Sequence, residues 1–107
     1  MTDQTPQDIL NAAADLIERT GWTQGEFAKD ADGDPVSATS PFANCFCMFG
    51  AIYRVTAEVS PRGSIMADLA EEILAERVGY DHFSKWNDHP DRTKEEVIAA
   101  LRGVSNE

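Results

Sequence analysis

This chain predicts a mainly α-helical domain, a small irregular four-helix bundle with one short β-hairpin. Three observations lead there. Cap-then-proline and capping-box signals mark helix starts, apolar residues recur at helical spacing in four segments, and one Asp-Gly turn separates two short β-prone runs. At 107 residues and 42% hydrophobic, the chain is one domain able to bury a core without metal or disulfide staples. Residues 1–4 and 103–107 read as frayed tails.

Thr5 caps the first helix, Pro6 takes its first position, and Asp8 suits its positive end. Ile9, Leu10, Ala13, Leu16 and Ile17 form the apolar stripe, Asp15 can pair with Arg19, and Gly21 ends the helix. Residues 22–40 are irregular, with the turn Asp32-Gly33-Asp34-Pro35 closing a hairpin between Phe27 and Val36. Ser40-Pro41 then repeats the cap-then-proline signal and predicts a second helix over residues 41–59.

On that helix Cys45, Met48, Phe49, Ile52, Val55 and Val59 share one face, and no charge occurs between Phe42 and Tyr53, so several neighbours should bury it. Gly50 in its middle permits close approach of another backbone. Ser64 should cap a third helix through Arg77, with Ile65, Met66, Leu69, Ile73, Leu74 and Val78 inward and Gly79 as its stop. A turn or short helix over residues 80–86 leads to Trp86-Asn87-Asp88 and a capping box at Thr93 and Glu96, ahead of Val97, Ile98 and Leu101.

The net charge of −10 excludes a nucleic-acid backbone and anionic lipid as direct partners, since both need clustered Lys and Arg. It leaves a basic protein partner, in its sharpest form one that the chain engages by mimicking nucleic acid, beside the simpler reading that acidity maintains solubility. No apolar run suits a signal peptide or a membrane span, so a cytoplasmic location is expected. The sequence is silent on oligomeric state.

Several clusters invite chemistry. Cys45 and Cys47 with His82 and His89 suggest zinc, but two thiols two positions apart on a helix point in different directions, so no metal is expected. Cys45 as a nucleophile needs an exposed, activated thiolate, which a place on the most apolar helix face opposes. Asp30, Asp32 and Asp34 hint at calcium, yet the glycine and glutamate of a helix-loop-helix calcium site are missing from their positions. Asn87 and Asp88 suit either a substrate amine or the backbone of a turn, and the turn reading is preferred. Asp68, Glu72 and Glu76, one turn apart with Glu71 adjoining, stack like charges that nothing local explains; they are either a solvated face or a docking strip. No phosphate loop, nucleophile elbow or triad is present, and no cofactor is expected.

Ala13 and Leu16, Gly21-Trp22 and Gly25, then Asp32-Gly33-Asp34-Pro35-Val36, carry a further signal. With Cys45, Gly50-Ala51, Trp86-Asn87-Asp88, Arg92-Thr93 and Glu96-Val97, the chain resembles a family of uncharacterised small proteins of bacteria and their phages, known as a domain of unknown function. Nothing aligns over residues 60–83, and Cys47 stands where members commonly carry a large apolar residue. The resemblance implies a host-cell cytoplasm if the chain is phage-encoded, and it brings no activity, cofactor or catalytic residue. Two functions are therefore weighed. The leading one is a non-catalytic accessory protein that binds a partner through its acidic surface. The alternative is a small enzyme with a polar site near Trp22, Cys45 and Trp86-Asn87-Asp88.

Overall fold

Helix α1 (Pro6–Thr20) organises the molecule, and its start explains why it forms. The Thr5 hydroxyl accepts from the Asp8 amide at 3.1 Å while the Asp8 carboxylate accepts from the Thr5 amide at 3.0 Å, satisfying two donors that a bare helix end would waste. Its inner face buries Ile9, Leu10, Ala13, Ala14, Leu16 and Ile17, each large side chain contributing about 1.5–3 kcal/mol. The computed structural model describes residues 5–59, 63–79 and 86–103.

The hairpin is present. Strand β1 (Ala28–Lys29) pairs antiparallel with β2 (Pro35–Val36), Ala28 opposite Val36. Asp30 Oδ1 accepts from the Asp32 and Asp34 amides, both at 2.9 Å, and Gly33 supplies the positive φ of 86° that closes the turn.

A third strand, β3 (Cys45–Phe46), lies on the other side of β1 and corrects the expected second helix. Ser40-Pro41 opens a tight turn instead: the Ser40 hydroxyl accepts from the Phe42 amide and the Ser40 carbonyl from Ala43. The uncharged run then extends, and Phe46 exchanges backbone bonds of 3.0 Å with Gly21 and Thr23. Helix α2 (Met48–Val59) begins only after that pairing. A short apolar run fits a buried strand as well as a helix, and the neighbouring backbone decided between them. Gly50 consequently sits in the first turn of α2, where an added Cβ would lie 2.0 Å from the Phe27 carbonyl oxygen; only glycine fits there.

Helix α3 (Gly63–Val78) includes the expected cap residue Ser64 within its span and stops at Gly79, at φ 74°. The side chains of Val59, Ser64, Ile65 and Met66 lie outside the described residues, as does the expected element before Trp86. Ala70 and Leu74 face inward, whereas Leu69, expected on that side, is 43% exposed.

Helix α4 (Lys94–Arg102) has its capping box at Thr93 and Glu96, buries Val97 and Leu101, and ends on Gly103 in the left-handed region. Of the residues read as tails, 1–4 and 104–107 lie outside the described residues, whereas Gly103 caps α4. The Arg77 guanidinium donates to the Ala100 and Leu101 carbonyls and to Gln7, and Gln7 itself donates to Leu101, so α1 and α3 together hold the negative end of α4. Asp15 pairs with Arg102 at 2.7 Å rather than with Arg19. Helix α1 packs against α2, α3 and α4, which places the core around it. Among the described residues no helix is long and apolar enough to cross a membrane.

Candidate functional site

Asn87 is the polar centre of the molecule, 2% exposed. Its carbonyl oxygen accepts from the Trp22 indole at 2.7 Å and from the Met48 amide, the first N–H of α2, at 3.1 Å. Its amide donates to the Thr23 carbonyl and to Asp88 Oδ1. All of its polar valences are spent, and replacing any partner would strand a buried group. Asp88 Oδ1 also accepts from the Gly25 amide, and the Gln24 side chain donates to the Asn87 and His89 carbonyls. Arg92 lies over the Trp86 ring at 3.7 Å while donating to the Trp86 carbonyl, which clamps the segment from its other side.

Beside this junction lies a hollow of about 200 Å³ lined by Gly25, Glu26, Phe27, Cys47, Phe49, Asn87 and Asp88. The cysteine that reaches it is Cys47, not Cys45. Cys45 sits half-buried in β3, its thiol 4.0 Å from the Lys29 carbonyl, rather than on the apolar face of a helix. Cys47 occupies the position before α2, where its sulfur accepts from the Gly50 amide at 3.2 Å. Burial raises its thiol above the usual range and the Asp88 charge adds to that, outweighing the lowering by backbone amides. The thiol is therefore protonated and a poor nucleophile at neutral pH. The His89 ring accepts from the Asp91 amide, and His82 lies outside the described residues.

From the hollow an aromatic row runs outward. The Phe27, Phe49 and Tyr53 rings touch pairwise, with centroids 5.0 to 5.9 Å apart, and Phe27 is 50% and Tyr53 39% exposed. The Tyr53 phenol adjoins α3: its pKa is raised by burial and then by the charges of Glu71 and Asp68. Asp68, Glu72 and Glu76 are exposed along one edge of α3, whereas Glu71 is half-buried and its charge acts on Tyr53 of α2. Burial, with help from Asp68, lifts its carboxyl to about 7, and Glu71 Oε2 is buried without a hydrogen-bond partner among the described residues.

Among the described residues no Lys or Arg pairs with Glu26, Asp68, Glu71, Glu72, Glu76 or Asp88. Of the acids elsewhere, Asp15 and Glu18 meet Arg102, Glu58 meets Arg54 and Glu96 meets Arg92, whereas Asp8, Asp30, Asp32, Asp34, Asp91 and Glu95 also pair with no cation among the described residues. The carboxylates of Asp30, Asp32 and Asp34 also approach one another within 4.8 Å, but Asp30 Oδ1 is already committed to two turn amides.

Sequence reasoning missed Glu26, Phe27, Cys47 and Phe49 as a group. They come from two segments brought together by β-pairing, and no spacing rule reports that. The exposed Phe27 beside Glu26 was the one available signal, since a large apolar side chain in a polar loop asks for a reason.

One family model, described as a family of unknown function (DUF6197), matches residues 1–107, including the stretch 60–83 where the motifs above gave nothing to align. No curated protein and no solved structure matches the chain.

Proposed function

We propose, on the premise that this chain belongs to the family of unknown function DUF6197, that it is a non-catalytic interaction protein that binds a basic protein partner. The observation carrying this reading is that a row of aromatic rings, exposed at Phe27 and Tyr53, adjoins carboxylates that have no cation partner among the described residues, from Asp88 and Glu26 through Phe27, Phe49 and Tyr53 to Asp68 and α3. Apolar anchors supply affinity, and a rim of one sign steers and selects the partner. Mimicry of nucleic acid is its sharpest form, because acids along α3 suit a surface evolved to hold phosphates.

The test is affinity capture with purified protein from the native host, comparing wild type with the triple reversal Asp68→Lys, Glu72→Lys, Glu76→Lys. The captured partner should be basic, be lost from the reversed protein, and be released by salt. Where it is a DNA-binding protein, duplex DNA should compete for it. Equal capture by the reversed protein discards this face.

Catalysis is the second reading, and one observation favours it: Cys47, Asn87 and Asp88 converge on the same hollow. Against it, the thiol is held protonated and the Asn87 side chain is fully engaged. Alkylation by iodoacetamide at pH 7 decides the point, since an activated thiolate reacts far faster than a buried thiol.

A further inference from the structure

The geometry points to the hollow beside Asn87 as a receptor for one cationic side chain on an aliphatic stem, a Lys or Arg of the partner. This rests on the interaction reading above and names the anchor that the partner would insert. The hollow holds about 200 Å³, on the scale of a single long side chain, and its lining has two chemistries. The Phe27 and Phe49 rings offer an apolar wall for methylene groups, and the half-exposed Phe27 ring offers aromatic surface for a cation. Glu26 and Asp88 supply negative charge, and no cation among the described residues neutralises either.

Other ligand classes fit less well. An anion would meet two carboxylates and, among the described residues, no basic group. A divalent metal would find too few oxygen ligands, because Asn87 Oδ1 is spent on Trp22 and Met48, and Asp88 Oδ1 on Gly25 and Asn87. A purely apolar group would leave both charges partly desolvated and unpaired. The neutral Cys47 thiol adds no competing charge.

The experiment is a titration of the folded, isotope-labelled protein with N-acetyl-lysine N-methylamide and with its uncharged norleucine counterpart, followed by amide NMR. We expect the lysine compound to shift the Gly25, Phe27, Phe49 and Asn87 amides and to bind about three- to tenfold more tightly than the norleucine compound. The substitution E26Q should remove part of that preference and D88N more of it. Should D88N fail to fold, E26Q together with added salt still reports on the charge. Equal binding of the two compounds, or lysine shifts confined to α3, overturns the inference, as does an absence of shifts up to saturating concentration. None of these results touches partner capture through Asp68, Glu72 and Glu76, so the two proposals fail separately.

Discussion

Two neighbouring regions treat polar groups in opposite ways. At the Trp22–Asn87–Met48 junction each recorded donor meets an acceptor, and the central side chain is sealed from water. Beside it, Phe27 and Tyr53 stand exposed, and so do Glu26, Asp68, Glu72, Glu76 and Asp88, none of which has a cation partner among the described residues. The first region has the economy of a structural element, whereas the second carries groups that folding alone does not require. A residue's eye-catching chemistry is thus a poor guide to its role; what matters is whether its valences are already filled.

Breaking the junction should have the largest effect. Asn87→Ala leaves the Trp22 indole, the Met48 amide and the Thr23 carbonyl unpaired, and should cost ~3 kcal/mol or more in urea unfolding, at 1–3 kcal/mol per stranded group. A loss below about 1 kcal/mol would erase the contrast between the regions. Next comes Gly50→Ala, whose methyl collides with the Phe27 carbonyl; about 2 kcal/mol of overpacking is expected, with shifted Phe27 and Phe49 resonances.

Glu71→Gln probes the boundary of the exposed face. The folded carboxyl titrates near 7 against an ordinary 4.5, so the folded state holds the proton more tightly than the unfolded one. Its stabilising share is complete below pH 4.5 and declines as pH rises to about 7, so the glutamine variant should gain about 1 kcal/mol at pH 8, after allowance for solvent screening, and little at pH 4. Equal effects at both pH values would place the titration elsewhere. Smallest of all, the triple reversal on α3 should change stability by no more than ~0.5 kcal/mol, because it exchanges one ridge of like charges for another along an exposed edge.

Much of this fold is legible in the sequence, for local reasons. Thr5 with Asp8 and Thr93 with Glu96 specify helix starts within a few residues, and Gly79 stops α3 by its backbone alone. Strand β3 was not legible, since two residues carry no period and only β1 gives them a partner. The same limit applies at the site. The exposure of Asp68, Glu72 and Glu76 follows from spacing on one helix, but the partial burial of Glu71 comes from packing that no spacing reports. The hollow depends on three segments, around Phe27, Cys47 and Asn87, and no one of them announces it.

The bonds from Gln7 and Arg77 to the end of α4 have a consequence for how the protein is made. Gln7 meets a carbonyl 94 positions further along, so α1 leaves the ribosome well before α4 and must wait for it before its stripe is covered. Until then Ile9, Leu10 and Ile17 lack part of their shelter, and a ribosome stalled before residue 94 would present them to chaperones and proteases.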